Sequence, residues 1–450
     1  MARINAEQSL SLETKPVGRL LWEFAAPAII AMSASSIYNF CDSIFVGQNC
    51  GPLAIAGMTV TFPIMNILTA FCIIASIGGA TLSSIYMGRK DQNSVLHVLG
   101  NVLLMNLSFG LCLMVVGWLF LDPILRAFGA SDDTLPFAKD YIQIILSGIL
   151  VTHILQSLLG ILRSTGYPRA AMRFQLLAVV LNILLDILFI CVFGWGIRGA
   201  ALATVLGQAV SLIIVLPRFF NHDNYAHFSP QMFHFRWHLV REIMSVGIAP
   251  FLANLCGCFV VMVINLSLLK FGNDLYLGAN GIVNRITQLI IMMVAGFSQG
   301  LQPIVGYNLG AGRMDRVKQA LHRAIAIATC IMTVGYVLIA LFPHSLASLF
   351  TDESAMIDAC VPALRISLAS FPLLGSQLIA VAYFQSIKKA KFSMLISLSR
   401  QLLCLLPLLL WLPSQWGIDG VWWSMAFADG YSILLTWYLL WRNPPTKQLQ

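Results

Sequence analysis

The chain has 450 residues, 58% of them hydrophobic and only 10% charged, with a formal net charge of +8. A soluble domain carries about 25% charged residues, so the composition excludes a water-soluble globular protein and points to a polytopic membrane protein. A basic excess suits a nucleic-acid binder, but the placement of Lys and Arg along the chain excludes that reading here.

In chain order, a polar tail (1–19) leads directly into the first apolar run, and no cleavable signal peptide is visible. Runs long enough to cross a bilayer then recur at 20–48, 53–86, 94–121, 137–164, 170–195, 199–220, 239–270, 278–309, 316–343, 357–386, 391–413 and 418–441. The fold class expected is therefore all-α and polytopic, with twelve transmembrane helices. The first six form an N-terminal lobe over 20–220 and the last six a C-terminal lobe over 239–441. Between them, 221–238 reads as a polar cytoplasmic connector with an amphipathic stretch lying on the membrane surface, and 442–450 is a tail. The connector region holds His222, His227, His234 and His238; a solvated linker accounts for them better than a metal site does.

With the N-terminus placed inside, twenty Lys and Arg fall on the cytoplasmic side and four on the outer side, namely Arg126, Lys139, Arg198 and Lys270. This asymmetry is the positive-inside pattern and predicts an even number of spans with both termini cytoplasmic. The basic residues serve topology, and no nucleic-acid partner is expected.

The two halves echo each other at a spacing of about 220 residues. Pro27-Ala28-Ile29-Ile30 in span 1 answers Pro250-Phe251-Leu252-Ala253 in span 7. Gly88-Arg89-Lys90-Asp91 answers Gly312-Arg313-Met314-Asp315, and Trp195-Gly196-Ile197-Arg198-Gly199 answers Trp416-Gly417-Ile418-Asp419-Gly420. Six spans return the chain to the same side, so the repeat is parallel, an arrangement that places substrate between rocking halves.

Two acids stand inside apolar runs, Asp42 in span 1 and Asp186 in span 5. A charge in a span costs roughly 2.5–3.5 kcal/mol on insertion scales and survives mainly on an ion or proton pathway. Asn182 and Asp186 are four apart and share a helix face. At a rise of about 1.5 Å per residue, Asp42, Asp186 and Thr204 of span 6 lie at similar depths, roughly 8–13 Å from the outer end. Two adjacent, desolvated acids repel each other, which favours uptake of a proton near neutral pH; the same oxygens, with those of Asn182 and Thr204, also suit sodium. At the matching places of the second half stand Pro407 and Leu403, so only the first half keeps this acid site. The second half instead carries Arg400 in span 11 and Asp429 in span 12, a possible polar pair. Tyr38, Asn39 and Gln156 are possible cavity-lining residues. Two GxxxG patterns in span 8, Gly296–Gly300 and Gly306–Gly310, permit close helix packing.

No GxxxxGK[ST], HExxH or GxSxG element occurs, so neither nucleotide hydrolysis nor another enzymatic activity is expected. The ten cysteines sit mostly in apolar runs, and Cys256 and Cys258 are too close in sequence for zinc-ligand spacing. No cofactor or metal is expected beyond a coupling ion.

On these residues the chain resembles the multidrug and toxic compound extrusion (MATE) transporters. The resemblance rests on Tyr38-Asn39 followed by Asp42 and Val46-Gly47, on Asn182-x3-Asp186, on Gly199–Thr204 in span 6, and on the twin Gly-Arg-x-Asp loops. Within that family it looks like the DinF-like and MepA-like branch. The resemblance implies a V-shaped molecule of two six-helix bundles, with Asp42, Asn182, Asp186 and Thr204 as an N-lobe cation site. A second branch carries acids in spans 7 and 10, which this chain lacks. The family mechanism implied is antiport of lipophilic organic cations against protons or sodium by alternating access. A monomeric protein of a bacterial inner membrane, with lipid and small amphipathic cations as its partners, is the expectation. The alternative is a related flippase or exporter of lipid-linked saccharides; its cavity would be basic, whereas this one is acidic.

Overall fold

The structure, a computed structural model, describes residues 12–351 and 353–444, without the side chains of Asn39, Phe40, Pro52 and Asp274. Among the described residues every regular element is helical. In hydrocarbon each backbone amide and carbonyl must be satisfied within its own segment, so long apolar runs fold as helices. Among the described residues, nine helices are long and apolar enough to cross a membrane. They are spans 1 (Val17–Cys50), 2 (Leu53–Gly88), 3 (Gln92–Leu119), 5 (Pro168–Val192), 6 (Gly196–Phe220), 7 (Trp237–Phe271), 8 (Leu275–Gly310), 9 (Met314–Leu341) and 11 (Ala390–Trp416). Spans 4 and 10 are bent pairs: Leu135–Ser147 with Ile149–Ser164 at 53°, and Ser354–Ser367 with Phe371–Ser386 at 58°. The 25-residue helix Ile418–Arg442 is span 12; at about 1.5 Å per residue it is long enough to cross. The protein is thus an all-α polytopic membrane protein of twelve spans in two related halves.

Related turns use related backbone. Gly196 (φ 58°) and Gly417 (φ 59°) both take the left-handed region where spans 5 and 11 hand over to spans 6 and 12. A Cβ is disfavoured there, which is why the Trp-Gly pair recurs. The bends in spans 4 and 10 also correspond. A Cβ on Gly148 would strike the side chain of Val205 in span 6, and Ser370 Oγ donates to the Ala426 carbonyl in span 12 at 2.9 Å. Spans 5 and 11 each carry a π-helical stretch, Ile187–Val192 directly after Asp186 and Ser399–Leu405 around Arg400. Such local widenings often accompany functional side chains.

Contacts divide the chain into two compact units. The first comprises residues through Lys15, Ile30–Phe251 and Gly306–Gly312. In it spans 2 and 7 cross closely, with Gly78 against the Ile243 carbonyl and Gly247 against that of Ile74. The Gly306–Gly310 pattern lies on span 2, at Ser84 and Ile85. The second comprises Pro16–Ile29, Leu252–Val305 and the chain from Arg313. There Gly296 and Gly300 let span 8 meet Ile29 and Ala25 of span 1, where an added Cβ would come within 2.7 and 2.6 Å of the Cα atoms.

The connector is docked on the first unit. Met232, in the short 3-10 turn Pro230–Phe233, is buried against Gly100. The Asn101 amide holds the neighbouring backbone at both ends, donating to His234 O at 3.3 Å and accepting from Arg236 N at 3.1 Å. Tyr167 Oη donates to Asn224 at 2.8 Å. Burial, with Asp91 and Tyr307 alongside, pushes the Tyr225 phenol up to about 12. Among the described residues no three His, Cys, Asp or Glu side chains gather as a metal site.

Candidate functional site

Span 1 delivers Asp42, span 5 delivers Asn182 and Asp186 from one face, and span 6 delivers Thr204, all within the first unit. Each is buried: Asp42 is 3% exposed, Asn182 3%, Asp186 0% and Thr204 8%. In the amide orientation that satisfies both ends, Asn182 donates to Asp42 Oδ1 at 3.1 Å. The same amide then accepts from Thr204 Oγ1 and from the Thr204 backbone N–H, each at 3.2 Å. Asn182 thereby bridges spans 1, 5 and 6. Spans 5 and 6 are close at this level because Gly207 lies against Ala178 O and Asn182 N, each 3.0 Å from where a Cβ would stand.

Asp186 is the unbalanced member. Neither of its carboxyl oxygens has a hydrogen-bond partner among the described residues. The Asp42 carboxyl interacts with it directly. Two ionised carboxylates accept and cannot donate, so this contact is favourable only with a proton or a cation held between them.

Tyr141, on the first limb of span 4, also lies near Asp42, Tyr38 and Asp186. Its isolated phenol offered no periodic pattern that would have marked it in the sequence. Tyr38 is half-buried on span 1 near Tyr141; the side chain of Asn39 lies outside the described residues. Gln156 is half-buried on the second limb of span 4 and makes no hydrogen bond to the acid pair. One turn beyond Thr204, Gln208 accepts from Thr152 Oγ1 of span 4 at 2.5 Å. An apolar cluster that includes Val46, Tyr141, Ile190, Ala200 and Ala201 packs beside the acids toward the Trp195 turn.

A separate buried cluster ties spans 2, 3 and 4. His153 Nε2 is 3.2 Å from Leu68 O. Ser157 Oγ meets Asn106 Nδ2 at 2.7 Å and Ser76 Oγ at 2.9 Å. Such interhelical bonds hold membrane helices together. In the second unit, Arg400 Nε donates to Asp429 Oδ1 at 2.5 Å. Arg400 keeps 33% of its side-chain surface exposed, and Asp429 keeps 8%.

The geometry has relatives. Among curated proteins, the multidrug export protein MepA of Staphylococcus aureus (strain NCTC 8325 / PS 47) is 25% identical over 435 residues, covering 95% of this chain and 94% of the relative. MepA of Staphylococcus haemolyticus (strain JCSC1435) is also 25% identical, covering 97% and 96%. Among solved structures, the MATE multidrug transporter DinF-BH, solved in complex with a small-molecule ligand, is 35% identical, with a TM-score of 0.89 and 96% of each chain covered. A transporter of the MOP superfamily from Pyrococcus furiosus shares the fold with a TM-score of 0.90 at 23% identity, covering 96% of each chain. The MatE family model matches twice, at residues 27–188 and 250–411. One stretch falls in each half, and each includes one of the bent spans, 4 and 10. The chain belongs to the MatE family.

Proposed function

We propose that the protein exports lipophilic organic cations across a bacterial inner membrane in exchange for protons or sodium. The observation that carries the reading is the buried Asp186 carboxyl set against that of Asp42, with Asn182 linking Asp42 to Thr204. A site that balances two carboxylates with one mobile cation can exchange a proton or metal ion for a cationic substrate, because both answer to the same charge. The MepA relatives are multidrug export proteins, and the DinF-BH neighbour was captured with a small molecule bound, which supports a drug-like cargo here. Acids beside a possible substrate path favour cations over acidic saccharides. The orientation with both termini cytoplasmic is supported by charge placement. Three of the four outer bases are matched by acids: Arg126 by Asp132, Lys139 by Asp122 and Arg198 by Asp140.

The test is efflux of a fluorescent lipophilic cation from vesicles reconstituted with the full chain, under a proton or a sodium gradient applied singly. Efflux should follow one gradient and fall to background in Asp186→Asn. Efflux under neither gradient, or an unaffected mutant, would overturn the coupling role of the acid pair and favour the saccharide exporter.

A further inference from the structure

Where span 11 turns into span 12, the second unit has an open surface cavity of 430 Å³ lined by Trp416, Asp419, Trp423 and Phe427, of which Trp416, Asp419 and Phe427 are exposed. Ligand pockets typically run from about 300 to 1,000 Å³. Asp419, Trp423 and Phe427 follow one another at four-residue steps and so share one face of Ile418–Arg442. The rings of Trp423 and Phe427 lie 5.3 Å apart with 26° between their planes, forming one stacked aromatic wall. Trp416 precedes the left-handed Gly417 and supplies another wall.

Comparison with the equivalent turn of the first half shows what is particular here. Arg198 occupies the place of Asp419 and is paired with Asp140 at 2.7 Å. Trp195, the counterpart of Trp416, is stacked on Phe189 at 5.0 Å. Leu202 and Leu206 stand where the second half has Trp423 and Phe427. The second half thus has the opposite charge and two added rings. Its Asp419 is exposed and forms no ion pair or hydrogen bond with a described residue. A helix dipole favours an acid in the first turn, which accounts for Asp419 but not for three aromatic side chains around it.

We propose that this cavity is a second binding site for lipophilic organic cations with a quaternary or delocalised charge. The ring faces attract such a cation through their quadrupoles, and the carboxylate supplies the counter-charge. A compact, strongly hydrated ion gains little from an aromatic wall. By odd–even counting of spans, the turn lies on the side opposite the connector, which is the outer side in the proposed orientation. There the site would hold cargo at the exit. The inference rests on the efflux reading only for the class of ligand.

The experiment measures equilibrium binding of tetraphenylphosphonium to the purified full chain carrying Asp42→Asn and Asp186→Asn, so that the acid pair is silent. Binding should persist, weaken about tenfold with Asp419→Asn or Trp423→Leu, and recover with Asp419→Glu. The uncharged triphenylphosphine oxide should not compete. Elution as a single species with unchanged thermal stability checks that each variant is folded, and Phe427→Leu, which removes the other ring of the wall, serves in place of Trp423→Leu if the latter fails this check. Isotherms unchanged by both substitutions, or equal competition by the neutral compound, would overturn the proposal. Transport by Asp186→Asn would sink the coupling reading alone, since the binding result does not depend on it.

Discussion

A carboxylate in a bilayer must have company, and the three buried acids among the described residues have different company. Asp186 has another acid, Asp42 has Asn182, and Asp429 has Arg400. Asp42 and Asp186 stood out in the sequence because an acid in an apolar run is costly wherever it points. Tyr141 and the Gln208–Thr152 bond did not, since a phenol or an amide is cheap enough to occur in a span without purpose. Removing one member of a buried pair strands the other. Asp429→Ala should therefore lower stability by about 2–3 kcal/mol, less than the 3–5 of a fully buried pair because Arg400 is partly exposed. Arg400→Met with Asp429→Leu should cost less than that single substitution; denaturation of both variants in detergent compares them. Asp91 caps span 3, accepting from Ser94 N at 3.0 Å and from Ser94 Oγ at 2.5 Å. Burial acts to raise its carboxyl, but those bonds, with His97 and Arg236 nearby, outweigh it and hold the group below its ordinary value of 3.8. A depressed acid stabilises the fold above its unfolded value, and that contribution fades as pH falls below 3.8 toward the lower folded value. Asp91→Ala should cost about 1 kcal/mol at neutral pH. Thermal melts should show that gap narrowing below pH 3.8.

At the scale of helices, small residues decide which backbones touch. The two GxxxG patterns of span 8 were visible in the sequence as permission to pack, but not as an address. The structure sends Gly296 and Gly300 to span 1, and Gly306 and Gly310 to span 2. At Gly300 a Cβ would stand 2.6 Å from both Ala25 Cα and Ala25 N, where backbone cannot yield cheaply. Gly300→Val should reduce the yield of folded protein and lower its melting temperature, a loss of about 1–3 kcal/mol or more. Gly281, on the same helix, has nothing within 4 Å of its would-be Cβ. Gly281→Ala should be neutral or stabilising by about 0.5–1 kcal/mol through helix propensity. A matched loss at both positions would mean that the close approach at Gly300 is not what sets the cost, since helix propensity alone predicts a gain at each. The bends in spans 4 and 10 and the π-helical stretches in spans 5 and 11 left no mark in hydropathy, which averages over such local departures.

For the whole molecule, repetition and charge asymmetry are complementary: the chain repeats its six-span pattern once, and the placement of Lys and Arg predicts how the spans are oriented. In a cysteine-free background, a cysteine at Asp132 should react with a membrane-impermeant maleimide on intact cells, and one at Asn221 only after permeabilisation. The reverse pattern would invert the assigned topology. Sequence alone determined the membrane class, the span boundaries to within a few residues, the two-fold repeat and the two acids, because hydropathy, charge and the cost of burying an ion are properties of residues in order. Only the tertiary structure decided that Asn182 links Asp42 to Thr204, that Tyr141 joins them from span 4, and that the connector is clamped by Asn101. It also turned an acid and three aromatic residues, spread over 416–427, into the walls of one cavity. Those relations depend on which helices become neighbours and at what rotation, and neither hydropathy nor charge order encodes an azimuth.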